Sequence, residues 1–181
     1  IHGGNSGIGC AAIQLAKWAG ATVICSVRTE EKKNFCEALG CTSVINTEKD
    51  DFVEYIQEKF PSKMNVILDM IGGDFTEKNL RCLGEYGRLV QIAFLKGQFP
   101  KVDLMQIMKQ RLVITGSTLR ARSDKEKKRI ADQLKENIWP EIESGNIKPC
   151  LNKEYQLSEI NEAHEFMENS MHMGKIAVTI S

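Results

Sequence analysis

No run among the 181 residues is apolar and long enough to span a bilayer, and nothing reads as a signal peptide. Neither sign of charge dominates. The 24 basic and 24 acidic residues cancel, so no global field draws the chain to nucleic acid or an anionic membrane, and any anion binding has to be local. The six cysteines, at positions 10, 25, 36, 41, 82 and 150, form no Cys-x-x-Cys pair. Most of them sit in apolar patterns where cysteine acts as a small hydrophobe, so a reduced, cytoplasmic setting is expected. His2, His164 and His172 show no metal-ligand spacing with one another or with cysteine, and no metal is assigned. Internal repeats and low-complexity linkers are also lacking. With 42% hydrophobic and 27% charged residues, the chain reads as globular.

What stands out is the stretch from His2 to Gly9, where Gly4, Gly7 and Gly9 frame Asn5, Ser6 and Ile8 ahead of the apolar run Cys10, Ala11, Ala12 and Ile13. Closely spaced glycines let a backbone turn sharply and approach a pyrophosphate, and the helix behind them points its first amides at the anion. The spacing is Gly-x-x-Gly-x-Gly, with Ser6 where a dinucleotide fingerprint usually has its middle glycine. A glycine-rich connection opening a helix is also an ordinary turn.

Beyond the turn, strands are expected at 22–27, 43–46, 64–69, 87–92 and 111–116. Helices are expected between them at 30–39, 51–60, 74–83 and 104–109, with Gly40 and Pro61 as stops. This alternation predicts an α/β doubly wound parallel sheet of the Rossmann type, with ligand at the carboxyl ends of the strands. A long charged helix is expected over 124–142 in spite of Pro140, closed by Ser144 and Gly145. Residues 1–145 thus read as a dinucleotide-binding domain. A short α+β tail over 146–181 follows, with strands at 151–155 and 175–180 around a helix at 158–169, too few elements for a core of its own. Only Ile1 and His2 stand where such a fold has a full first strand. The expectation is a piece of a longer protein, whose missing domain the tail would pack against.

Several stretches together resemble the cofactor-binding half of a zinc-independent quinone oxidoreductase of the medium-chain dehydrogenase/reductase superfamily. They are the Ser6, Gly7, Ile8, Gly9 turn with its helix, Ile67 to Gly73, Gly87 to Val90, Arg111 to Arg120, Ala163 with His164, and Gly174, Lys175, Ile176. The resemblance implies an amino-terminal catalytic domain elsewhere in the parent, NADPH as cofactor, and hydride transfer to a quinone or an α,β-unsaturated carbonyl. It places Met70, Ile71, Ala93, Phe94, Leu95, Ser117, Thr118 and Leu119 along the nicotinamide half, largely through backbone groups. His164 matches a structural residue of the carboxy-terminal helix.

Cofactor choice in such folds is set after the second strand, where an acid would bind the adenosine ribose and repel a 2′-phosphate. Here Val27, Arg28 and Thr29 supply no acid. Arg28 offers a guanidinium fork, Ser26 and Thr29 lie close by, and Lys32 matches the position where relatives keep a lysine for that phosphate. Relatives carry tyrosine where Thr47 stands and some carry arginine near Ser170, so Arg28 is read as compensating. The bland reading of Glu30, Glu31, Lys32 and Lys33 is a solvated helix start.

Three other patterns carry rival readings. Tyr55 and Lys59 make the Tyr-x-x-x-Lys of a short-chain dehydrogenase, yet they lie so near the turn that Tyr55 is expected to pack and Lys59 to be solvated. Asp69 is read as a cap for the turn that follows it, ahead of a catalytic acid. The run from Arg120 to Arg129 is read as a solvated helix face, ahead of a site for RNA or coenzyme A phosphates. No catalytic residue is assigned, and the chain alone is expected not to turn over a quinone. The alternative function is a non-catalytic nucleotide-binding or dimerising module. A homodimer is expected through the apolar edge strand Leu112, Val113, Ile114, Thr115 and Gly116, where the resembled oxidoreductases dimerise.

Overall fold

The computed structural model describes residues 1–180. In chain order the elements are α1 (Gly7–Trp18), β1 (Ile24–Val27), α2 (Glu30–Ala38), β2 (Ser43–Asn46), α3 (Phe52–Lys59), β3 (Met64–Asp69), α4 (Asp74–Cys82), β4 (Leu83–Gln91), α5 (Leu104–Gln110) and β5 (Val113–Gly116). Then come α6 (Asp124–Asn137), α7 (Trp139–Glu143), β6 (Leu151–Gln156), α8 (Ile160–Glu168) and β7 (Lys175–Thr179). Side-chain caps set where many helices start. Ser6, Thr29, Asp51, Asp103 and Ser123 each accept an amide of the first turn, which satisfies donors the helix cannot pair internally.

All strand pairs are parallel: β1 with β2, β3 with β4, and β4 with β5. Ile1 and His2 lie between the two groups. His2 bridges Ser26 in parallel, Ser26 N–H donates to Ile1 O at 3.0 Å, and His2 N–H donates to Leu68 O at 3.3 Å. The order across the sheet is therefore β2, β1, Ile1 with His2, β3, β4, β5. Chain progression reverses on either side of Ile1 and His2, so the glycine turn stands at the topological switch point, where doubly wound sheets bind ligands. Two apolar clusters hold the layers. Ile13, Val23, Cys25, Val27, Cys36 and Val44 seat α1 and α2, while Ile45, Phe52, Ile56, Ile67, Leu80, Leu83 and Leu89 seat α3 and α4.

The structure moves several boundaries: β1 starts at Ile24 and β5 at Val113, each two residues later than expected, and three further changes have a local cause. The helix expected over 124–142 breaks at Ile138, because Pro140 lacks an N–H and fits best in the first turn of a new helix, α7. β4 reaches back to Leu83 through an irregularity in which Met64 pairs with Leu83 but Val66 with Arg88, and Tyr86 takes φ 60°. The tail helix opens with a 3₁₀ turn at Leu157–Glu159, closed by reciprocal Gln156 and Glu159 capping bonds. In the tail, β6 and β7 pair in parallel, leaving Leu151, Leu157, Met167, Met171 and Ile180 exposed. No helix among the described residues is long and apolar enough to cross a membrane.

Candidate cofactor site

The glycine turn is held by its own backbone and by β1. Ser6 N–H donates to Gly3 O at 2.9 Å, Gly4 N–H donates to Ser26 O at 3.1 Å, and the Ser6 hydroxyl accepts Gly9 N–H at 2.9 Å. Gly9 has no room for a side chain, since a Cβ would collide with the carbonyl oxygen of Gly3 and lie 2.7 Å from that of Gly4. With Ser6 capping Gly9, the amides of Gly7 and Ile8 at the first turn of α1 remain open to an outside acceptor, and the turn contains no acidic residue. This is the arrangement a pyrophosphate needs.

On one flank, β1 ends at Val27 and delivers Arg28 to the surface and Lys32 to the first turn of α2. Lys32 is 7% exposed, and its ammonium donates to Ser170 O at 2.6 Å. Burial first, and the Arg28 charge next, push its pKa down. Thr29 is the cap of α2, accepting Lys32 N–H at 3.3 Å. The Thr47 hydroxyl donates to Val27 O at 3.1 Å, so it borders the same corner with its hydrogen already engaged. Ser26 is turned away. Its hydroxyl is buried against His2 Nδ1 at 2.8 Å, while His2 Nε2 meets Asn79 Oδ1 at 2.7 Å. Because Asn79 Oδ1 only accepts, Nε2 carries the proton and Nδ1 accepts from Ser26. Burial is the main cause of a His2 pKa lowered to about 4.

On the other flank, Asp69 is fully buried and its carboxylate accepts Ile71 N–H at 2.6 Å and Gly72 N–H at 3.3 Å, which makes it the cap of that turn. Met70 lies beneath the glycine turn, its sulfur 3.9 Å from the Ser6 hydroxyl. The loop after β4 pairs back onto this turn, with Leu95 N–H on Met70 O at 3.2 Å and Lys96 N–H on Ile71 O at 2.7 Å. Gln91 Nε2 donates to Ala93 O at 2.7 Å, and Ser117 N–H donates to Gln91 O at 3.1 Å. Phe94, Leu95, Thr118 and Leu119 are exposed on the loops that follow β4 and β5, and the Leu95 and Lys96 amides tie the first of these loops to Met70 and Ile71. The site residues read from the sequence lie at or just past the carboxyl ends of the strands; the Ser26 hydroxyl is directed inward to His2, the Thr47 hydroxyl donates to Val27 O, and Met70 and Lys32 are buried.

Sequence reasoning missed the tail's part in this site. Gly174 N–H donates to Asn5 O at 2.7 Å, Ser6 bridges Gly174 in parallel, and Asn5 Nδ2 donates to His172 O at 3.2 Å. Lys175 crosses the first turn of α1. The Gly-Lys pair was visible in the sequence, but nothing local tied it to a turn at the far end of the chain. Tyr55, by contrast, packs on the core with its hydroxyl 2.8 Å from Ser43 Oγ, and Lys59 pairs with Glu58 in solvent, so the Tyr-x-x-x-Lys pattern is absent from the site. Among the described residues no three His, Cys, Asp or Glu side chains cluster as a metal site. A cavity of about 740 Å³ lies at the opposite end of the strands, between the starts of β1 and β3, lined by Thr22, Val23, Phe60, Met64 and Val66.

Comparison with known proteins agrees with this geometry. The family model described as zinc-binding dehydrogenase matches residues 7–136. A 2-haloacrylate reductase from Burkholderia is 29% identical over 98% of the chain, and a quinone oxidoreductase from Mus musculus is 26% identical over 99%. The chain spans 54% of the length of each. The crystal structure of Escherichia coli quinone oxidoreductase complexed with NADPH superposes with a TM-score of 0.82 at 28% identity, over 98% of this chain and 56% of that one. The chain belongs to the zinc-binding dehydrogenase family, and its α/β fold is the cofactor-binding domain of the medium-chain dehydrogenase/reductase superfamily.

Proposed function

We propose that the chain is the NADPH-binding half of a zinc-independent oxidoreductase that delivers hydride to a quinone or an α,β-unsaturated carbonyl. The observation that carries this reading is the uncapped amide pair of Gly7 and Ile8 at the switch point, in a turn that Gly4 N–H ties to Ser26 O of β1, with Arg28 just past that strand and Lys32 in the first turn of α2. Gly7 and Ile8 would take the pyrophosphate. Arg28 and Lys32 would take the adenosine 2′-phosphate, which an acid after β1 would repel. Met70, Ile71, Ala93, Phe94, Leu95, Ser117, Thr118 and Leu119 would line the nicotinamide half, orienting the ring and keeping water from it. The dihydronicotinamide supplies the hydride when bound. Asp69 holds the turn after β3 by accepting the Ile71 and Gly72 amides.

The acceptor class draws support from two relatives, one named a quinone oxidoreductase and one a 2-haloacrylate reductase, whose name denotes an activated carbon–carbon double bond. The test is NADPH oxidation by the full-length parent with a simple quinone and with a simple enone, beside the 181-residue chain alone. Turnover of either acceptor by the parent and none by the chain is expected. Cofactor binding with no turnover of either acceptor by the parent would leave a nucleotide-binding module.

A further inference from the structure

Residues 25–41 leave the sheet with β1, pass through α2 and return toward β2, carrying Arg28, Thr29 and Lys32 on the way. The two ends of this excursion meet in a pair of thiols. Cys41 Sγ donates to Cys25 Sγ at 3.3 Å, and both cysteines are free. Each has a fixed backbone. Cys25 stands in β1 opposite Val44 of β2, while Cys41 N–H donates to Cys36 O at 3.2 Å and the next amide, Thr42 N–H, donates to Val23 O at 2.7 Å. The two sulfurs differ in access. Cys25 is 1% exposed, with its sulfur against Gly4 of the glycine turn, whereas Cys41 is half-buried at the edge of the same apolar cluster.

Disulfide sulfurs lie about 2.05 Å apart, so bonding this pair takes an approach of roughly 1.3 Å, within the range of side-chain torsions. We propose that Cys25 and Cys41 are a redox modification site, a dithiol that peroxide converts to a disulfide across the base of the segment bearing Arg28 and Lys32. Peroxide reaches the half-buried Cys41 first, turning its thiol into a sulfenic acid and leaving as one water. The Cys25 sulfur then attacks the Cys41 sulfur; the S–S bond forms, the S–O bond breaks, and the hydroxyl departs with the Cys25 proton as a second water. Two electrons pass from the thiols to the peroxide. The resting state is reduced. A hydrogen bond with Cys36, and burial, push the Cys25 thiol up to about 12, and the bond to Cys25, with burial, pushes Cys41 up as well, so both keep their protons at neutral pH and the reaction is slow.

The test is prolonged treatment of the unaltered chain with excess hydrogen peroxide, alkylation of the remaining thiols, and peptide mapping by mass spectrometry without reductant. A peptide joining Cys25 to Cys41 is expected, and dithiothreitol should return both as free thiols. The oxidised chain should melt higher by on the order of 5 °C, and the amides of α2 should exchange several-fold more slowly, because the bond removes open states of the segment it closes. Cys41→Ser should form no such link and gain no heat resistance from peroxide, while Cys36→Ala should keep both responses. Failure of any link to form, a link from Cys25 to Cys36 in its place, or Cys41 oxidised to a sulfinic acid with Cys25 still free would each overturn the assignment. All of these outcomes are read without nucleotide, so they stand apart from the dinucleotide reading.

Discussion

His2 shows how much one buried side chain decides. With its pKa at about 4 in the folded chain and 6.5 as the ordinary value, the unfolded chain binds more protons between those limits. Stability should therefore fall as pH drops from about 6.5 toward 4, by on the order of 3 kcal/mol over the window. Urea unfolding of His2→Gln across that range should lose the extra pH dependence, and an unchanged slope would count against the neutral, buried ring. The two basic residues after β1 differ in the same way. Arg28 is exposed and its loss should cost NADPH affinity about tenfold with little change in stability. Lys32 is buried and bonded to Ser170, so Lys32→Met should cost both affinity and about 1 kcal/mol of stability, checked by thermal unfolding. The sequence showed Ser26, Arg28 and Lys32 as one polar group around the end of β1. It could not show that the Ser26 hydroxyl turns to a histidine brought alongside by sheet pairing.

At the scale of elements, local signals and pairing partners divide the outcome. β2 and β3 were readable to the residue because Gly40 and Pro61 lie shortly before them and both strands are apolar and β-branched. The break between α6 and α7 was hidden because a proline that ends one helix also suits the start of the next. β4 was read too short because Gly84, Glu85, Tyr86 and Gly87 look like a turn, and only the pairing of Leu83 with Met64 carries the strand across them. The turn before α1 was legible, and it makes a strict demand. Gly9→Ala would drive a methyl into two backbone carbonyls that cannot rotate aside, so it should destabilise the chain by ~3 kcal/mol and weaken nucleotide binding with it. Chemical denaturation reads the first effect and titration the second; a Gly9→Ala chain of unchanged stability would mean that the turn is looser than its hydrogen bonds imply.

For the whole molecule, the doubly wound order follows from the sequence's alternation of strand and helix, whereas the docking of the tail on the glycine turn depends on contacts between the two ends of the chain. β5 is the edge of the sheet among the described residues, paired to β4 alone, with Val113 and Ile114 exposed and Leu112 buried just before it. We propose that two copies pair along this edge as a homodimer. Light scattering at micromolar concentration should give a dimer mass, and Val113→Lys, placed on an exposed position, should return a monomer mass. A dimer that ignores the lysine would refute edge pairing. Nucleotide preference tests the account's central claim most directly. Titrated with NADPH and with NADH under the same salt, the chain should bind NADPH about tenfold or more tightly, as expected for Arg28 and Lys32 at the 2′-phosphate with no acid opposing them. Equal affinity for the two nucleotides, or binding of neither, would contradict it.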